Sequence, residues 1–504
     1  MNMTATDLRT RIGSVAGQAF EVAVVGGGIN GTAVARQLAH EGRSVLLVEK
    51  EDFGAGSSSR SSRIMHCGLN YLAEVLHAKG PGAKLRNLRL ARRMMIERAR
   101  LWRDLPGRLI ARPFVIPIRA EDAVRPWAYD LAFRALRALG GYGVPIDYRR
   151  FAGQSLQDHP LRPFFSDDLV GLVSFSELVF EWPEAVCHDY ARDAAALGAK
   201  VLNYVALADV TRETGGWRLS LVDMLTPGVT SSVSARHVVN MTGIASDRIN
   251  ARAASAGLTG FPSRTVTPNK GCHAAMRLPE PFRGMGILRR NELGHLFLAV
   301  PWRDYHIVGP TETAVVGDPP PPRAEESDVA ALVAAAAENI PGAHIDHDDV
   351  LYHWGGYRPA GYSADNLRGQ WLRTIYAPDD TVQDGGAWLS MAWGRLADHR
   401  ITAEEVAKLI AARSGRNAYP RSTERLPPLA PRRADERDFI AGPLGPATLA
   451  DVMFGRLGLG WSADLGRSEM RRVADVMAEA NGTSADKLVL DYEALLRKEF
   501  GATS

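Results

Sequence analysis

Two short apolar runs open the chain, at 20–25 and 44–48, with a glycine-rich turn and the helically spaced segment 32–38 between them. Runs of that length bounded by turn residues read as buried strands, so the pattern predicts strand, turn, helix and a second strand closing on Glu49. Between 85 and 105, Leu85, Leu88, Met95, Ala99, Trp102 and Leu105 recur at near-helical intervals among many arginines, which predicts a basic amphipathic helix. The stretch 169–233 reads as strands mixed with a helix near 190–197, and 236–243 as a strand ending in a glycine turn. The proline run 319–322 predicts a loop and the alanine-rich stretch 328–339 a helix. Prolines and arginines without periodicity make 420–433 the best linker. Helices are predicted beyond it at 449–457, 467–480 and 484–500, which divides the chain into a large region, 18–419, and a small helical C-terminal domain, 434–504.

With 46% apolar and 23% charged residues over 504 positions, the chain has a globular composition, and a disordered or collagen-like chain is excluded. Sixty Lys+Arg against 57 Asp+Glu leave a net charge of +3, which gives no support to a nucleic-acid partner. The three cysteines, Cys67, Cys187 and Cys272, are widely spaced and form no CxxC pair, so neither a disulfide framework nor a metal site is expected and a reducing compartment fits. No apolar run approaches the roughly 20 residues that cross a bilayer, and the polar start predicts a cytoplasmic protein. Charge changes the picture in one place. From Lys79 to Arg112 the bases Lys84, Arg86, Arg89, Arg92, Arg93, Arg98, Arg100, Arg103 and Arg108 face only Glu97 and Asp104, a surface that reads equally as a peripheral contact with anionic lipid or as a solvated, cofactor-side face.

Gly26, Gly28 and Gly31 form GxGxxG between the first strand and the first helix. The first glycine permits the tight turn, the second lets a pyrophosphate approach the backbone, and the third allows the helix to pack closely. The helix N-terminus, with Asn30 in its first turn, then offers free N–H groups and a positive dipole end to the phosphates. Glu49 can accept hydrogen bonds from a ribose diol, so a dinucleotide site is predicted. The loop 54–63 follows, dense in hydroxyls and carrying Arg60 and Arg63; its Ser58, Ser59 and Ser62 are candidates for binding a pyrophosphate and a ribityl chain.

The glycine turn, the stretch 57–72 (Ser-Ser-Ser-Arg-Ser-Ser-Arg-Ile-Met-His-Cys-Gly-Leu-Asn-Tyr-Leu) and the turn Asn240-Met241-Thr242-Gly243 resemble the FAD-dependent glycerol-3-phosphate dehydrogenase family. So do Lys270-Gly271-Cys272-His273, Gly309-Pro310-Thr311-Glu312, Gly356-Tyr357-Arg358-Pro359, Gly394-Arg395-Leu396 and the C-terminal helices. The resemblance implies an α/β fold: a Rossmann-like FAD-binding domain of the D-amino acid oxidase type, a mixed-sheet substrate domain and a C-terminal helical cap. It implies FAD as cofactor and oxidation of sn-glycerol 3-phosphate to dihydroxyacetone phosphate. The alternatives are another anionic secondary alcohol or amine, or a flavin-binding protein that has lost catalysis. A quinone or another carrier would accept the electrons, at the inner face of the cell membrane if the basic helix lies on lipid. Under this resemblance His273 is the candidate base and His66 the second. Arg358, Arg373, Tyr71 and Asn70 face the substrate, and Thr242, Gly243, Gly394, Arg395 and Leu396 face the flavin. Several positions depart from the family pattern: Cys67 replaces a glycine, Asn70 an arginine expected on the substrate's phosphate, Cys272 the serine before the histidine, and Trp393 the first of two glycines, with Ala397 altered as well. Arg395 stands where that family has lysine.

Overall fold

The computed structural model describes residues 12–66, 68–69, 80–122, 124–140, 142–290, 296–378, 386–415, 426, 440 and 444–502. Asn70, Tyr71, Cys67 and the linker 420–433, Leu426 excepted, lie outside the described residues.

The predicted opening unit is present as β1 (Ala19–Val25), α1 (Ile29–His40) and β2 (Val45–Val48). The basic helix follows as α2 (Pro81–Asp104), then β3 (Leu109–Arg119), α3 (Pro126–Ala138), β4 (Arg149–Phe151), β5 (Leu169–Phe180) and α4 (Pro183–Ala196). Next come β6 (Lys200–Leu202), β7 (Val205–Glu213), β8 (Gly216–Asp223), β9 (Thr230–Asn240), α5 (Ser246–Ser255) and β10 (Val266–Met276). The chain continues through β11 (Gly286–Arg290), β12 (Leu296–Trp302), β13 (Tyr305–Val308), β14 (Thr313–Ala314), α6 (Glu326–Asn339) and β15 (Val350–Gly361). It ends with β16 (Thr374–Tyr376), β17 (Trp388–Ala392), α7 (His399–Ser414), α8 (Arg467–Asn481) and α9 (Ala485–Phe500).

The first sheet runs β16-β17-β9-β1-β2-β6, parallel from β17 to β6, with the β7-β8 hairpin attached through β8 to β9. Its central strand explains the unbroken apolar run at the start of the sequence. Val22 and Val24 face α1, α4 and α7, while Ala23 and Val25 pack with Leu219, Leu221 and Ile249 on the other side. A parallel strand covered on both faces has no polar side to present. The second sheet, β14-β10-β13-β12-β11-β3-β5-β4 with β15 beside β10, is antiparallel except for β11 against β3.

The C-terminal helices are built onto this second sheet. Trp461, Met477, Leu496 and Phe500 share one apolar cluster with Tyr352, Trp354 and Phe175. The first helix predicted there, 449–457, is a π-helical turn, Asp451–Arg456, and it is tied to the first sheet's domain. Arg456 grips Asp52 with both ends of its guanidinium, at 3.0 and 2.8 Å.

Helix α2 is less available as a basic surface than its sequence suggests. Arg98 is buried on Glu177, Arg93 pairs with Glu405, Arg100 with Glu97 and Glu404, and Arg103 with Asp104. Lys84, Arg86, Arg89 and Arg92 remain exposed, beside the exposed Leu85 and Leu88. No described helix is long and apolar enough to cross a membrane.

Candidate functional site

The N-terminus of α1 is assembled from three distant segments. Gly31 lies so close to the turn that a Cβ there would fall 1.8 Å from the Gly26 carbonyl oxygen, which is why the third glycine of the motif admits no side chain. At Gly28, by contrast, the only neighbour among the described residues that a Cβ would meet is Ser58 Oγ at 3.3 Å, so the mouth of the helix is open. Ser58 Oγ accepts the Ile29 N–H at 3.0 Å, placing a hydroxyl at that mouth. Glu49 accepts the Gly27 and Glu51 N–H groups at 2.6 and 2.9 Å, and burial pushes its pKa upward.

From β9 comes Asn240, whose side-chain carbonyl accepts from Thr242 Oγ1 at 2.7 Å and fixes the turn into Gly243. From the end of β17 comes Gly394, packed so tightly on Asn30 that a Cβ would sit 2.4 Å from Asn30 Nδ2. Asn30 Oδ1 is buried and has no partner among the described residues. An open helix mouth, a ribose-ready carboxylate and an orphaned acceptor in one place fit a bound dinucleotide. Ser59, predicted to touch the cofactor, turns its hydroxyl back on Ala55 and Gly56 of its own turn. Arg395 and Leu396 open a short 3-10 turn in which the Arg395 N–H is capped by Asp398.

The other half of the site stands on β10 and β15, paired so that His273 faces Trp354 and Asn269 faces Arg358. The His273 ring stacks on Trp354 at 5.3 Å and 15°. Its Nε2 is 2.9 Å from Ser62 Oγ, and its Nδ1 is buried without a partner. Burial, with Arg358 and Arg63 nearby, pushes its pKa down to about 3, so the resting ring is neutral. Arg358 donates to Asn269 Oδ1 and to the Thr311 carbonyl at 2.9 Å, and its guanidinium lies close against Gly271. A Cβ at 271 would fall 2.2 Å from Arg358 Nη2, which is the physical meaning of the glycine in the Lys-Gly-Cys-His segment.

His66 sits in the left-handed region at φ +63°, and burial with the charges of Arg395, Arg290 and Arg98 lowers its pKa against the opposing pull of Glu177. Arg373 has a different occupation from the one expected: it donates to Thr402 Oγ1 at 3.0 Å and pairs with Glu405 at 2.8 Å on α7. A guanidinium engaged at both ends by helix side chains is a tie between β16 and α7.

Sequence reasoning passed over Arg63. Its guanidinium is fully buried between the rings of Trp302 and Trp461, 4.3 Å from each, with Glu184 at 3.7 Å. Trp461 Nε1 donates to the same Glu184 at 2.9 Å, and Arg60 pairs with Glu499. The cap thus grips the loop that carries Ser62. The only trace in the sequence was a pair of arginines among serines.

A family model described as DAO, FAD dependent oxidoreductase, matches residues 21–409. Glycerol-3-phosphate dehydrogenase 1 of Mycobacterium tuberculosis is 29% identical over 406 residues, covering 77% of this chain and 72% of the relative. D-erythritol 1-phosphate dehydrogenase of Brucella abortus is 29% identical over 340 residues, covering 67% and 62%. The glycerol-3-phosphate dehydrogenase of Bacillus halodurans, solved with FAD, superposes with a TM-score of 0.70 over 97% of both chains at 20% identity, a likeness of fold.

Proposed function

The chain belongs to the family of FAD dependent oxidoreductases, and on that premise we propose that it oxidises a phosphorylated polyol, sn-glycerol 3-phosphate foremost, to the corresponding ketone. The observation that carries this reading is a neutral histidine beside a half-buried arginine on adjoining strands: His273 with its hydroxyl partner Ser62, and Arg358.

Bound FAD supplies the hydride acceptor. Gly26, Gly28 and Gly31, with Asn30, Glu49, Ser58, Thr242, Gly243 and Gly394, would hold it. Arg358 binds the substrate's anionic group, since its fork suits phosphate and keeps its charge when buried. Ser62, the half-buried member of its pair, receives the substrate's hydroxyl proton and passes its own to His273 Nε2. The negative charge that the substrate brings to Arg358 offsets the field of Arg358 and Arg63, so His273 becomes a stronger base when substrate is in place.

Electrons leave to a quinone or similar carrier at a membrane surface, for which the exposed Lys84, Arg86, Arg89 and Arg92 with Leu85 and Leu88 provide the contact. Charge reversal at these four positions abolishes co-sedimentation with anionic vesicles if that assignment holds.

The test of the main reading is anaerobic titration of the FAD-loaded protein with phosphorylated three- and four-carbon polyols, carboxylated alcohols and amino acids, following flavin absorbance. Bleaching by a polyol phosphate supports it. Bleaching by an amino acid alone overturns it.

A further inference from the structure

Trp393 occupies a backbone position, φ +56°, that suits glycine and that bulky residues rarely adopt. Its N–H donates to the carbonyl of Pro359, the residue after Arg358, at 2.9 Å, and the next residue is the Gly394 that packs on Asn30. Residue 393 therefore joins the strand of Arg358 to the cofactor turn. Its indole meets Trp371 edge-on, with ring centroids 4.4 Å apart at 74°. The Arg358 guanidinium lies 5.6 Å over the same Trp371 ring. Trp393 Nε1 is buried and finds no acceptor among the described residues.

A left-handed backbone and a buried N–H without an acceptor are two local costs in one residue, and glycine would avoid both. Such costs persist where they serve a site. Trp371 touches both the Trp393 indole and the Arg358 guanidinium, and the Trp393 N–H is bonded to the residue after Arg358, so the ligand nearest this indole is whatever Arg358 binds.

We propose that Trp393 determines specificity by donating its indole N–H to the anionic group that Arg358 holds, which makes that group a phosphate. A tetrahedral phosphate presents three oxygens out of one plane, and that suits two donors arriving from different segments better than a flat carboxylate does. This inference rests on the polyol phosphate reading of the same site and names the part of the substrate that is recognised.

The test uses the FAD-loaded protein with Trp393→Phe and Trp393→Gly, titrated with inorganic phosphate and with acetate while flavin absorbance is followed, and then assayed with glycerol 3-phosphate. Loss of one hydrogen bond to a charged group corresponds to about a tenfold weaker phosphate Kd in Trp393→Phe, with KM rising in step, kcat changing little and FAD content unchanged. Trp393→Gly relieves the backbone, so its thermal stability holds or rises while phosphate affinity is still lost; if the Phe variant does not fold, this variant decides. Phosphate binding as tight as the parent's in either folded variant overturns the inference, as does loss that simply follows FAD content. A parent protein that binds phosphate through Trp393 yet is bleached by no polyol phosphate would defeat the function reading while leaving this one standing.

Discussion

At the mouth of α1 the site is made of backbone. A methyl group on residue 31 would fall 1.8 Å from a carbonyl oxygen, and Glu49 is engaged by main-chain N–H groups. Across β10 and β15 it is made of side chains: His273 against Trp354, Arg358 on Asn269, and Ser62 reaching in from a loop held by the cap. The first half can be specified by a few neighbouring residues because close packing of main chain leaves one solution. The second needs partners from five or more segments, and any one of them can change without unmaking the strands.

The contrast is broken or sharpened most severely at the glycines. Gly31→Ala is expected to leave no bound FAD and a destabilised protein, whereas Gly28→Ala, with only a hydroxyl at 3.3 Å, folds normally and loses FAD affinity alone. Flavin content together with thermal melting separates the two, and equal melting temperatures would show that the turn is softer than its geometry. His273→Ala is expected to slow anaerobic flavin reduction by about 10²–10⁴-fold with a much smaller change in substrate affinity, measured by stopped flow. If affinity falls instead and the rate holds, His273 positions substrate and His66 becomes the base.

Arg358→Lys removes the bidentate fork while keeping the charge, and should raise KM by about tenfold or more with FAD content intact. Arg373→Ala should leave KM nearly unchanged and lower stability by about 1 kcal/mol or less, because its partners are Glu405 and Thr402. Comparable KM effects in these two variants would return Arg373 to the substrate.

Acid stability reads the buried histidines across both sheets and is the least specific to the site. Burial pushes His237 and His306 down to about 4 and His273 and His399 to about 3, against 6.5 unfolded. Below pH 6.5 the unfolded chain takes up protons that the folded chain refuses, so stability is full above 6.5 and falls as pH drops toward the folded values. Each histidine contributes up to about 1.4 kcal/mol per pH unit in that window. Melting temperatures between pH 7.5 and 5 should fall steadily, and His237→Gln, on β9 away from the substrate strands, should flatten the slope. A profile flat over this range would show that these rings are charged in the fold.

Local chemistry made the opening β-α-β unit, the basic helix and the last two helices legible from the sequence. Each depends on periodicity or on a turn that a few adjacent residues dictate. Gly26, Gly28, Gly31 and Glu49 were readable for the same reason, and the resemblance singled out His273 and Arg358, which stand on the paired strands β10 and β15. What the sequence could not hold was pairing between distant charges. Eight basic positions along one helix looked like a surface until Glu177, Glu404 and Glu405 arrived from other elements. Nor could the sequence hold the contacts of Arg373 with Thr402 and Glu405 of α7. Arg63, between Trp302 and Trp461, had no local signature beyond an arginine among serines, because its cage closes only when the cap docks on the second sheet. Hydrophobic spacing and glycine turns are written into short stretches of chain, whereas the choice of partner for a long charged side chain is settled by which surfaces burial brings together.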